Sequence, residues 1–314
     1  MALHALQSVT VGVPDPAATA AFYREFGLQP LPGASSTTGG HAFGTADVGE
    51  QLRIVAAPRR RLLELVVGAD DADDLARVAT ALGRLGAPVR PAADALHTVE
   101  QVTGTQVTVR VAPRLLQPAA PAPVYNGPGR IERATERADV VHRSGPVRPR
   151  KLGHCVLGTS EPETVRRFFV EGIGFKVSDE VKDAAVFLRC STDHHNLLIH
   201  RAPVDFLHHT SWQVEDADEV GRGAMQLLEA DPNRHVWGFG RHCIGANFFW
   251  YLRDPAGNFV EYYSDMDTVV DDALWSPQVW EGAKGLYLWG PPPPPSFLHP
   301  EDLAELMTGA HGPT

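Results

Sequence analysis

The sequence predicts an α+β protein assembled from repeated βαβββ units, and three observations carry that expectation. Between residues 152 and 263 a strand, a helix and further strands occur twice in the same order. The first 111 residues follow a similar plan. A proline-rich stretch over 116–150 parts the two regions, and proline, which fixes φ and removes a backbone donor, belongs in a connector lying over a surface. The expected division is a unit at 1–115, a linker at 116–150, a second unit at 151–270 and a tail at 271–314.

In the first unit, Leu6–Val13 reads as a strand and Pro16–Phe26 as a helix stopped by Gly27. Leu52–Ala56 and Leu62–Val67 follow as strands, then a helix over Ala72–Leu85 and a last strand over Thr105–Val111. In the second unit, Leu152–Leu157 is a strand carrying His154. A helix runs from Glu161 to Ile173, with Ser160 as its expected N-cap and Gly174 as its stop. Strands follow at Phe175–Ser178, Ala185–Cys190 and Asn196–His200. The order then repeats. His208–Val214 is a strand carrying His209, and Ala217–Leu228 is a helix with Val220, Met225 and Leu228 expected on its buried face. Phe248–Arg253 and Asn258–Tyr263 are strands joined by Asp254-Pro255-Ala256-Gly257, residues suited to a tight reversal. In the tail, Trp275, Trp280, Tyr287 and Trp289 precede the run Pro291–Pro295. That run reads as polyproline II, open to being a partner's ligand or a strap over the protein's own surface; aromatics in need of burial favour the strap.

Composition narrows the function classes. The formal net charge of −10 comes with no long basic run, which argues against nucleic acid as a partner. No apolar run is long enough to span a bilayer, and no secretion signal is legible, so a cytoplasmic location is expected. The three cysteines, Cys155, Cys190 and Cys243, fit a reducing compartment better than a disulfide framework.

The chemistry gathers on His154, His209 and Glu261. The two histidines stand at equivalent places in the repeat, and the glutamate ends its second half. Two imidazoles and one carboxylate suit Fe(II) or Mn(II), hold one face of the ion and leave the other open. One carboxylate on a divalent ion leaves a single positive charge, which a singly deprotonated catechol can neutralise through both oxygens, with room for O2 beside it. His195 is placed to move a proton. Tyr251 is placed to donate a hydrogen bond to a substrate oxygen, and His242 to orient the substrate. Alternatives stay open: His194, His200 and His208 are neighbouring histidines, and strand alternation could send Glu261 outward.

At Leu152-Gly153-His154, Asp193-His194-His195, Leu207-His208-His209, and Gly240-Arg241-His242 through Phe248, Tyr251, Asp254-Pro255, Gly257 and Glu261, the chain resembles the type I extradiol ring-cleaving dioxygenases of the vicinal oxygen chelate superfamily. The likeness is to the homoprotocatechuate and dihydroxybiphenyl branches, and it is architectural only over the first 115 residues. It implies two domains built from four βαβββ modules, each an open mixed β-barrel around a cavity, and only the second holding metal. It implies Fe(II), less often Mn(II), on His154, His209 and Glu261, with His195 as acid–base catalyst and His242 and Tyr251 beside the substrate. It also implies a homo-oligomer. Three positions depart from the branch patterns. Val156 stands for an asparagine, Trp237 for a carboxylate-binding arginine, and Gly245 for an aspartate. Without the arginine's bidentate clamp, a poorly anionic catechol is expected, with Val156, Trp237, Phe187 and Phe248 lining its pocket. Other readings are a glyoxalase- or thiol-transferase-like enzyme of the superfamily and a non-catalytic binder of aromatic compounds.

Overall fold

A computed structural model describes residues 3–32 and 40–308. The first unit consists of β1 (Leu3–Val13), α1 (Pro16–Glu25), β2 (Gln29–Pro30), β3 (His41–Gly44), β4 (Glu50–Ala56), β5 (Arg61–Ala69), α2 (Ala72–Arg84), β6 (Arg90–Pro91), β7 (Ala95–Val99) and β8 (Gln106–Val111). These strands form one mixed sheet in the order β2-β3-β4-β1-β5-β8-β7-β6. Each four-strand module winds the same way: its first strand pairs in parallel with its last, and the two modules join antiparallel through β1 and β5.

The second unit follows the same plan. It comprises β9 (Lys151–Thr159), α3 (Pro162–Arg167), β10 (Lys176–Val181), β11 (Ala185–Arg189), β12 (Leu197–Arg201), β13 (Phe206–Gln213), α4 (Ala217–Ala230), β14 (His235–Arg241), β15 (Phe248–Arg253) and β16 (Phe259–Ser264). Its order is β14-β15-β16-β13-β9-β12-β11-β10, and β17 (Val279–Trp280) from the tail adds to the β10 edge. Among the described residues the two sheets give four βαβββ modules. Sequence periodicity passes over β14 in the second unit, as it does β2, β3, β6 and β7 in the first. β14 contains Gly238 and Gly240, and glycine gives a strand neither side-chain packing nor conformational restriction.

Two local expectations change. The helix after Ser160 starts one residue later, with Glu161 at the N-cap and no side-chain cap bond, and it turns π-helical over Phe168–Ile173. The Ser160 amide donates instead to Asp205. Gly174 does end the segment, at φ 100°. On α4 the buried face is Val220, Ala224 and Leu227, while Met225 is exposed. Ala224 sits one place back from Met225 and keeps the i, i+4 step from Val220.

The units share a core. Phe26 of the first stacks on Tyr262 of the second at 3.9 Å and 5°, and the Tyr262 hydroxyl donates to Phe26 O. The tail binds across both. It contains α5 (Pro295–Leu298) and α6 (Leu303–Thr308). Asp302 receives Arg60, a side chain 1% exposed, at 2.6 Å. Trp237 Nε1 donates to Pro291 O. The aromatic tail is therefore held against the protein's own surface.

Candidate metal centre

Sheet register brings the site together. β9, β13 and β16 are neighbours, and His154 pairs with Ser211, which pairs in turn with Glu261. His209 lies two residues from Ser211 on β13 and so faces the same side. The small Ser211 leaves room for the longer side chains around it. His154 Nε2 is 3.1 Å from Glu261 Oε2, His209 Nε2 is 3.7 Å from the same oxygen, and the two Nε2 atoms are 3.4 Å apart. All three residues are buried, Glu261 completely.

The donor set fits a divalent ion. With bonds of about 2.1 Å, ligand atoms at right angles lie about 3.0 Å apart, and at 120° about 3.6 Å; the observed triangle is close to that range. Glu261 Oε1 accepts from Asn247 Nδ2, while Oε2 has no hydrogen-bond donor among the described residues. A buried carboxylate oxygen without a donor, facing two imidazole nitrogens, is costly unless a cation sits among them. Burial by itself would raise the Glu261 carboxyl, but the imidazoles of His154, His242 and His209 gathered around it hold it well below the usual range. Among the described residues this is the one group of three such side chains close enough to share an ion.

Four further groups surround the triangle. His195 is buried, its ring 4.2 Å from that of His154, and burial together with the neighbouring imidazoles depresses its pKa. Burial likewise depresses His208 and His209. His208 is not one of the three donors. Its Nδ1 is 2.7 Å from His209 Nδ1 and its Nε2 is 2.5 Å from Phe297 O. A carbonyl can only accept, so His208 Nε2 carries the hydrogen. In the neutral ring Nδ1 is then the acceptor, His209 Nδ1–H donates to it, and the His209 Nε2 lone pair is left for a metal. A second tail carbonyl acts on the other flank: His242 Nδ1 donates to Leu286 O at 2.5 Å, so Tyr251 O–H donates to His242 Nε2 at 2.9 Å. The Tyr251 hydrogen is thus directed at His242. Burial and the Glu261 charge raise the Tyr251 pKa well above that of a free phenol.

A cavity of about 490 Å³ opens from the triangle. Val156 and Phe187 line it, as do His195, His242 and Tyr251. Trp237 and Phe248, expected on its wall, do not. Trp237 lies behind Tyr251, its ring parallel at 5.6 Å, within a cluster of Val236, Phe249, Phe259 and Phe297. Phe248 falls on the opposite face of β15 from Tyr251, stacked on Phe239 beneath the Arg241 guanidinium. Sequence reasoning missed Asn247, Ile244, and the tail residues Leu286, Phe297 and Leu298 that complete the wall. A run of aromatics and prolines signalled burial of the tail but not its destination. Cys155, next to His154, is buried and its thiol is pushed up to about 12, the behaviour of an inert packing residue. Among the described residues no helix is long and apolar enough to cross a membrane.

Residues 151–262 match the model of the Glyoxalase/Bleomycin resistance protein/Dioxygenase superfamily. Metapyrocatechase 2 of Cupriavidus necator is 33% identical over 198 residues, which is 62% of this chain and 60% of that protein's length. The crystal structure of the Mn(II)-bound glyoxalase from Novosphingobium aromaticivorans is similar over 95% of both chains, with a TM-score of 0.73 and 25% identity. That of BphC, a halotolerant catechol dioxygenase, is similar over 95% of this chain and 97% of its own, with a TM-score of 0.75; at 18% identity this likeness speaks to the fold alone.

Proposed function

From a second unit that is a domain of the Glyoxalase/Bleomycin resistance protein/Dioxygenase superfamily, we propose that the protein is an extradiol dioxygenase, cleaving the ring of a poorly anionic catechol with O2. The observation that carries this is the buried triangle of His154, His209 and Glu261 at the head of a mostly apolar cavity. Those three residues would hold Fe(II) or Mn(II). When bound, such an ion supplies adjacent open positions for a diol and dioxygen.

The chain's own groups supply the rest. His195, uncharged and facing the cavity, takes a proton from a catechol hydroxyl and returns it later. His242, held by Leu286 O, keeps the Tyr251 hydroxyl fixed beside Glu261. Val156, Phe187 and Ile244 exclude water from the ring's faces. A homo-oligomer in the cytoplasm completes this reading.

A second reading is an isomerase or thiol transferase of the same superfamily, and the likeness to the glyoxalase favours it. Such sites usually add a carboxylate ligand, expected near Leu198–His200, where this chain has none. The test is protein purified without air, loaded with Fe(II) or Mn(II) and given a panel of catechols in an oxygen electrode. We expect oxygen uptake and a yellow ring-opened product. Loaded protein inert across the panel, or turnover that requires a thiol and Zn or Ni, overturns the proposal.

A further inference from the structure

The cavity has a second end that the proposed chemistry leaves unused. β12 pairs in parallel with β9, placing Leu198 beside Val156 and His200 beside Gly158. Leu198 and His200 share one face of the strand, and both line the cavity. His200 is therefore the next side chain outward from the apolar pair that follows His154. Its ring is 5.2 Å from that of His208, which is 5.0 Å from that of His209.

The His200 ring has a fixed polarity. Nδ1 lies 3.1 Å from the carbonyl oxygen of Arg201. That oxygen can only accept, so Nδ1 carries the hydrogen and Nε2 presents a lone pair. Nε2 is shielded from solvent and has no hydrogen-bond partner among the described residues. Burial lowers the ring's pKa to about 4, leaving it uncharged at neutral pH. Its surroundings are aromatic, with Phe206 at 5.8 Å and His208 edge-on. The nearby cations are engaged elsewhere. Lys182 pairs with Glu281 at 3.0 Å, and Arg201 Nε lies 3.4 Å from Asp183 O. This end of the cavity thus holds one neutral acceptor beside the Phe206 and His208 rings, among lining residues that also include Lys182, Asp183, Arg201 and His299. A carboxylate would bring only acceptors to it, and a hydrocarbon would leave Nε2 unpaired.

We infer that His200 Nε2 is a specificity-determining acceptor for a hydrogen-bond donor, a hydroxyl or N–H, carried on the side chain of the catechol and pointing away from the diol. The inference rests on the catechol reading of the metal centre and adds the chemistry of the substituent.

Equilibrium binding without oxygen tests it apart from turnover. The probes are matched 3- and 4-substituted catechols bearing a butyl or a 3-hydroxypropyl chain, in which a hydroxyl replaces a methyl. They are titrated calorimetrically into the Mn(II)-loaded full chain. In at least one pair the hydroxylated catechol binds roughly tenfold tighter. His200→Phe, which keeps a ring and removes the acceptor, abolishes that preference, while His200→Gln, which keeps an acceptor, retains it. Thermal melting of each variant reports folding. Equal or weaker binding of the hydroxylated member in every pair overturns the inference, as does a preference that survives His200→Phe. If no catechol of either kind binds the Mn(II)-loaded chain, the catechol reading itself fails and the inference falls with it.

Discussion

In β5 and β8 of the first unit, Glu64 pairs across the ladder with Gln106, and Thr108 stands two residues further along; in β13 and β16 of the second, His209 pairs with Phe259 and Glu261 stands two residues further along. Five parallel pairs join β1 to β4 and five join β9 to β12, and Ser8 and His154 each stand one residue before the first of them. By ladder position the first unit therefore puts Ser8, Glu64 and Thr108 where the second puts His154, His209 and Glu261. Ser8 is one place from Gln7, the match expected from the sequence. The same backbone solves two different electrostatic problems. Thr108 Oγ1 donates to Glu64 at 2.7 Å, with His97 Nδ1 2.9 Å from the same hydroxyl, and Glu64 is only half-buried, so one protein donor and access to solvent satisfy that carboxylate. In the second unit Glu261 Oε2 faces imidazole nitrogens and has no hydrogen-bond donor among the described residues. A cation is what the second arrangement needs and the first does not.

The sharpest way to break this comparison is to count metal. The chain should bind one Mn(II) in equilibrium dialysis. Glu261→Ala removes the only carboxylate of the triangle and should abolish tight binding, whereas Glu64→Ala should leave the stoichiometry at one. Tight binding by the Glu261 variant, or loss of metal on changing Glu64, would mean that the ladder correspondence misplaces the site.

A smaller effect should come from the tail, which completes the wall of the second unit's cavity. His208 passes the orientation of Phe297 O to His209, and outer partners of ligating histidines typically contribute about 10–100-fold in metal affinity. His208→Phe should weaken Mn(II) binding by that order. His208→Asn, whose side-chain oxygen can still accept near the Nδ1 position, should recover much of the loss. If the two variants bind Mn(II) equally, then hydrogen-bond acceptance by His208 plays no part in holding the ligand.

The contrast between the units also explains what the sequence made legible. His154, His209 and Glu261 lie on strands whose register follows from the module repeat, so two histidines at equivalent places were a strong signal. The turn at Asp254–Asn258 was legible because Asp254 accepts from the amides of Ala256 and Asn258, a local arrangement. The short strands β2 and β6 were not legible, since two residues carry no period. Trp237 was assigned to the cavity wall because it stands where the resembled branch has a carboxylate-binding arginine, and Phe248 as an aromatic beside it, but their direction depends on strand alternation in β14 and β15 and on Phe297 arriving from far along the chain. No local pattern in the sequence encodes that arrival.

Helix α2 in the first unit and α4 in the second give the mildest test of the comparison. Each begins with an aspartate whose side chain accepts from the amide three residues on: Asp71 from Asp74, and Asp216 from Glu219. Losing such a cap costs about 1 kcal/mol, and for Asp71, exposed and tied to nothing further along the linker, Asp71→Ala should cost about that much in urea denaturation. Asp216 has a second partner. Its Oδ2 lies 2.8 Å from Arg143 Nη1 of the linker, with the two side chains only 5% and 18% exposed. Removing Asp216 leaves Nη1 of a partly buried guanidinium without its carboxylate, although Asp139 still holds Nε at 2.9 Å, so Asp216→Ala should cost more than Asp71→Ala, by up to about 1 kcal/mol. In the double variant Asp216→Ala/Arg143→Ala the excess should vanish, leaving the cost of the cap alone. Equal losses for Asp71→Ala and Asp216→Ala would show that the linker's grip on α4 contributes nothing, and that the two helices differ in sequence but not in how they are anchored.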